Sequence, residues 1–97
     1  MQIEKIKKSI ILVLPKYGIK RAAFFGSLAR GEAVAKSDVD LLVEFGTESS
    51  LLDLVGLKLE LQVLLKRKVD VVTYKSLHPL LKDRILREQV PIYGKGS

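Results

Sequence analysis

Ala23-Phe24-Phe25-Gly26-Ser27-Leu28-Ala29-Arg30-Gly31 is followed shortly by Lys36-Ser37-Asp38-Val39-Asp40-Leu41-Leu42-Val43, so that ten residues separate Ser27 from Asp38. The apolar run before Gly26 reads as a buried strand, Gly26-Ser27 as a tight turn, and the second run as a strand that starts on two carboxylates. Side chains alternate faces along a strand. Asp38 and Asp40 are therefore expected to point the same way, with Val39 turned into the core. Two carboxylates on one face are costly unless a cation lies between them. A hard ion such as Mg²⁺, which takes oxygen ligands and often completes its shell with phosphate oxygens, suits that pair.

Working outward, Ile3, Ile6, Ile10, Val13 and Leu14 recur at helical spacing with Lys5, Lys7 and Lys8 opposite, so the chain is expected to open with a helix stopped by Pro15 and turned at Gly18. Ile19 to Phe25 is the first strand. Ser27 to Gly31 reads as a short helix whose amides face the turn, and Glu32 to Ser37 as a loop. Asp38 to Phe45 is the second strand. Ser49 or Ser50 is expected to cap a helix from Leu51 to Leu65. Arg67 to Thr73 is the third strand, and Ser76 is expected to cap a last helix with Pro79 in its first turn. Pro91-Ile92-Tyr93 could add a short edge strand. The fold class is thus α/β (α+β in some schemes), with helices and strands in the order α-β-α-β-α-β-α. Residues 1–93 are read as a single domain and 94–97 as a flexible tail.

The third strand contains an acid among β-branched residues, Lys68-Val69-Asp70-Val71-Val72-Thr73. A lone Asp there is unfavourable for both strand propensity and burial. It is either an exposed strand-end residue paired with Lys68 or Arg67, or a third carboxylate brought beside Asp38 and Asp40.

These motifs resemble the active site of the DNA polymerase β-like nucleotidyltransferases, and in particular the minimal nucleotidyltransferase branch. The resemblance implies a nucleotidyltransferase fold, a small mixed sheet flanked by helices. It also implies that Asp38, Asp40 and Asp70 are the catalytic metal ligands, with Asp70 a possible general base. Mg²⁺ would be the ion, in two copies, with Mn²⁺ an alternative. Gly26 and Ser27 would hold the phosphates of a nucleoside triphosphate, Gly26 by permitting close approach and Ser27 by its hydroxyl and amide. Arg30 is either a phosphate-facing base or a surface partner of Glu32. Lys36 is a weaker candidate for the phosphates, Ser37 orders the loop, and Gly31 ends the short helix. Many proteins of this branch are paired with a helical HEPN-domain toxin. The resemblance therefore implies AMP transfer from ATP to a tyrosine hydroxyl of such a partner, with this chain as antitoxin.

Composition bounds the alternatives. With 97 residues, 47% of them hydrophobic and 29% charged, the chain has the makeup of a folded domain with one modest core. It is far smaller than a polymerase that must grip primer and template, so the acceptor is expected to come from elsewhere. The absence of cysteine excludes disulfides, thiolate metal sites and a cysteine nucleophile, and fits the cytoplasm. No apolar run approaches the ~20 residues of a membrane span. A net charge of +6 suits a nucleotide, RNA or an acidic protein, but the bases are dispersed and the six aromatics do not interleave with them. Two other readings therefore stand beside the enzyme: a non-catalytic antitoxin that acts by contact, and a small RNA-binding or RNA-tailing accessory. His78 is expected at the surface or as a cap. Plotted at ~100° per residue, the helix from Leu51 to Leu65 shows two apolar stripes. Leu54, Leu57, Leu61, Leu64 and Leu65 form one, and Leu52, Val55, Leu59 and Val63 form the other. The second stripe either docks a partner or a second copy, or is covered by the first or last helix.

Overall fold

The computed structural model describes residues 3–26, 38–46 and 51–94. Helix α1 (Ile3–Val13) continues into a 3₁₀ turn at Leu14–Tyr17. Pro15 lies in the first positions of that turn, so the proline tightens the helix end where the sequence suggested a stop. Gly18 ends the turn with a left-handed φ of 69°. Strands β1 (Ile19–Phe24) and β2 (Val39–Phe45) follow, then α2 (Leu51–Leu65), β3 (Val69–Thr73), α3 (Pro79–Glu88) and β4 (Val90–Tyr93). The short helix expected at 27–31 and the loop at 32–37 lie outside the described residues, as do the cap expected at Ser49 or Ser50 and residues 95–97.

The four strands form one sheet in the order β3-β2-β1-β4. The two pairs involving β1 are antiparallel and the β2–β3 pair is parallel, which makes the sheet mixed. A parallel pair needs a crossover connection, and α2 supplies it. The edge strand expected around Pro91 is β4, in which the proline costs no central ladder bond.

Alternation then divides the sheet into two faces. Val39, Leu41 and Val43 of β2, Ala22 and Phe24 of β1 and Val69 of β3 pack with Ile6, Ile10 and Leu14 of the first helical segment and with Leu57 and Leu61 of α2 in one apolar cluster. On the other face, Ala23 and Leu42 are also wholly buried but stand outside that cluster. Asp40 and Asp70 fall on this second face.

Only one stripe of α2 is buried. Leu57 and Leu61 are inaccessible, and Leu54 and Leu65 pack at the cluster's margin. Leu64, expected on the buried stripe, is 47% exposed because it lies at that stripe's edge. The second stripe is open, with Leu52 81%, Val55 48%, Leu59 55% and Val63 77% exposed. The expectation that another helix covers it is therefore corrected: α1 packs on α2 elsewhere, and no residue of α3 is buried. The cap of α3 also differs from expectation. His78 is the N-cap, its Nδ1 accepting from the Leu80 amide at 3.1 Å, while the Ser76 hydroxyl donates to the Thr73 carbonyl one turn earlier. No helix among the described residues is long and apolar enough to cross a membrane.

Candidate active site

The candidate site lies where β1 ends and β2 begins. The Phe25 amide donates to the Asp40 carbonyl at 3.1 Å, which ties the end of β1 to the start of β2. The Val39 amide donates to the Lys68 carbonyl at 3.0 Å, and this sets the parallel register with β3. In that register Asp40 is the direct partner of Asp70. Neighbouring strands lie about 4.8 Å apart and partnered residues share a face. The two carboxylates are thus a cross-strand pair, both half-buried. Like charges directly opposite each other oppose pairing, and the apolar partners around them (Val39 with Val69, Leu41 with Val71) hold the register against that repulsion. Val39, between Asp38 and Asp40, is completely buried as the alternation requires, but β2 starts one residue later than expected, and Asp38 sits exposed just ahead of it.

Gly26 closes the site from the side of β1. Its φ is +70°, in the left-handed region that favours glycine. A Cβ built there would overlap Oδ2 of Asp40 and come within 3.1 Å of its Cγ. The glycine is therefore required twice, for its backbone conformation and for the room it leaves to the Asp40 carboxylate. Of the site residues expected from sequence, Gly26, Asp38, Asp40 and Asp70 are brought to this one end of the sheet. Ser27 and Arg30 lie outside the described residues, as do Gly31, Lys36 and Ser37.

The donor set suits a hard divalent cation: it is all carboxylate oxygen, with Asp40 and Asp70 paired in register and the Asp40 carboxylate seated in the room that Gly26 leaves. The three acids are not gathered around a single point, however. Among the described residues, no group of three or more carboxylate, histidine or cysteine side chains stands ready to hold a metal ion. The trio expected to converge is present as an in-register pair with a third acid two residues away.

The sequence reading missed a second polar feature, at the opposite end of the sheet. Arg21 Nε donates to Glu44 Oε1 at 2.6 Å, and the guanidinium lies 4.2 Å over the centre of the Tyr74 ring. The Tyr74 hydroxyl donates to Gln89 Oε1 at 2.8 Å. Burial pushes this phenol up; the Arg21 charge opposes the shift and Glu44 adds to it. Only the register of β1 on β2 brings Arg21 to Glu44, 23 positions along the chain, so no local pattern could have revealed the pair.

Known proteins share this fold. The family described as polymerase β, nucleotidyltransferase, matches residues 8–97. A candidate protein adenylyltransferase of Methanocaldococcus jannaschii is 59% identical over 92 residues, which cover 95% of this chain and 99% of that protein. A solved structure described as a candidate minimal nucleotidyltransferase is 40% identical and superposes with a TM-score of 0.80 over 92% of this chain and 91% of its own. A chain from a complex of a tri-AMPylated Shewanella oneidensis HEPN toxin with its MNT antitoxin shares the fold at 19% identity. Its TM-score is 0.74, over 95% of this chain and 72% of its own.

Proposed function

The chain belongs to the polymerase β nucleotidyltransferase family, and on that premise we propose that it moves AMP from ATP to a tyrosine hydroxyl of a HEPN-domain toxin in the cytoplasm, acting as its antitoxin. The observation that carries this reading is the Asp40–Asp70 pair held in register against a glycine that cannot accept a side chain. The 59% identical relative, itself named for protein adenylylation, supports the transfer chemistry.

Asp38, Asp40 and Asp70 would hold the metal, two Mg²⁺ in this proposal, with Mn²⁺ able to replace them. Such ions would supply charge neutralisation for the triphosphate and the carboxylates and polarisation of the α-phosphorus. The remaining work falls to the chain itself. We assign the β- and γ-phosphates to the turn at Gly26 and the Ser27 hydroxyl, with Arg30 as a further phosphate-binding base in this proposal. Asp70 accepts the proton of the attacking hydroxyl. A bond forms from the acceptor oxygen to the α-phosphorus, the bond to the bridging oxygen breaks, and pyrophosphate leaves. Catalysis then rests mainly on positioning and charge neutralisation.

The exposed apolar stripe of α2 favours a second reading, neutralisation of the toxin by contact alone. One experiment separates the two. Labelled ATP, Mg²⁺ and the candidate HEPN protein are mixed with wild type or with Asp38→Asn/Asp40→Asn. Label transferred by the wild type and lost in the variant supports the enzyme. Neutralisation that survives in the variant supports contact.

A further inference from the structure

About four residues along β2 from Asp40, roughly 13 Å at strand rise, the same sheet face ends in a cleft of about 730 Å³. Lys20 and Arg21 from the start of β1, Glu44 from the end of β2, Tyr74 and Lys75 from the 3₁₀ turn after β3, and Lys82 from α3 line it. Four bases thus face one acid, and that acid is already engaged: Glu44 is bonded to Arg21 at 2.6 Å. Among the described residues, Lys20, Lys75 and Lys82 have no ion-pair partner. Three like charges from three separate elements are thus brought around one hollow whose one acid among the described lining residues, Glu44, is taken by Arg21.

The volume lies within the roughly 300–1,000 Å³ of small-ligand sites. The arrangement is compact, whereas a nucleic-acid strand needs a charged groove that tracks its backbone together with successive stacking platforms. Here the face of Tyr74 is occupied by Arg21. A neighbouring hollow of about 670 Å³ shares Lys20, Arg21 and Glu44 but adds only Tyr93 and Gly94, and so no further charge. Flexible ammonium groups act as point charges well suited to phosphate oxygens.

We propose that this cleft is a second anion site, separate from the acid end of the sheet, and that it takes a compact oligophosphate. Linked phosphates are common to a nucleoside triphosphate and to inorganic triphosphate. Lys20, Lys75 and Lys82 grip them, while Arg21 stays locked by Glu44 and shapes the wall.

The test is titration calorimetry with inorganic triphosphate in EDTA, conditions under which the carboxylate end repels the ligand. Wild type and Asp38→Asn/Asp40→Asn are expected to bind one triphosphate each. Lys75→Gln/Lys82→Gln, both exposed positions, is expected to bind at least tenfold more weakly. Lys5→Gln/Lys8→Gln removes the same charge from exposed positions on α1 and is expected to leave binding within about twofold, since distant surface charges are screened by salt. A parallel titration with ATP identifies the source of the phosphates: tighter binding of ATP assigns the site to a nucleotide, and equal binding to inorganic oligophosphate. The proposal is overturned if wild type binds no triphosphate in EDTA, if the Lys75/Lys82 variant binds as wild type does, or if both lysine pairs weaken binding equally.

Discussion

The two faces of the four-stranded sheet are built by the same chain alternation yet serve opposite ends. The face under α1 and α2 contains Leu41, Val43, Phe24 and Val69, all sealed against Leu57 and Leu61. The other holds Asp40 opposite Asp70 and Arg21 opposite Glu44, with the buried Ala23 and Leu42 between the two charged ends. Each strand therefore spends alternate residues on stability and on charge. The difference teaches that charged groups survive in so small a sheet because the apolar face fixes the register for both. A slip of one residue would exchange the faces.

The largest expected effect tests the charged face. Asp38→Asn/Asp40→Asn should lower AMP transfer on the order of 10³-fold, while the thermal midpoint stays that of wild type. A variant that unfolds would show that the acids are part of the core's support, and the contrast between faces would fail. Next comes the apolar face. Leu61→Ala should cost about 2–5 kcal/mol in denaturant unfolding, whereas Leu59→Ala, on the open stripe of α2, should stay within about 0.5 kcal/mol. Equal losses would mean that something covers the second stripe in solution.

Gly26→Ala sits where the two faces meet. It forces a side chain into a left-handed backbone position and against Asp40, so it should cost about 1–3 kcal/mol and reduce transfer as well. A stable variant with full activity would remove the glycine from the site. A smaller effect is expected at the C-terminal end of α2. There Lys66 adopts a φ of 55°, the left-handed conformation in which glycine is usual. Lys66→Gly should therefore raise stability by about 1 kcal/mol.

The smallest effect concerns the solvent-facing link between the 3₁₀ turn and α2. The Lys16 ammonium, and after it the Tyr17 hydroxyl, bond to Glu60 and hold its carboxyl below the ordinary range, while the same bond to Glu60, with burial second, pushes the Tyr17 phenol up. A depressed carboxyl stabilises the fold above its unfolded pKa of about 4.3 and loses that contribution as pH falls through its folded value. A raised phenol stabilises the fold below its unfolded pKa of about 10 and loses that contribution as pH rises through its folded value. Thermal midpoints of wild type should therefore fall at both extremes, and Glu60→Gln should flatten both limbs. Unchanged limbs in that variant would remove the link from the stability of the fold.

Much of the candidate site's end of the sheet was legible in one dimension because it rests on short-range rules. Gly26 follows an apolar run, Asp38 and Asp40 flank the first apolar residue of β2, and Asp70 is an acid among β-branched residues. The helix at 51–65 and the edge strand at Pro91 were also legible, from periodicity and from the missing amide of proline. His78 was read as a surface or capping residue, and it caps α3. Ser76 was chosen as the cap because serine is favoured there, but the chain uses its hydroxyl on Thr73 instead.

The sequence by itself determined that β1 must break at a glycine, that Val39 turns into the core while Asp40 does not, and that α2 is apolar on two sides. These follow from backbone sterics and from fixed helical and strand periods, which need no distant partner. Tertiary structure alone decided that Asp70 lies opposite Asp40 and which stripe of α2 is buried. It also decided that Lys20, Lys75 and Lys82 surround one cleft. Each of these depends on strand register or on competition among helices for one sheet face, and such non-local choices leave no periodic mark on the chain.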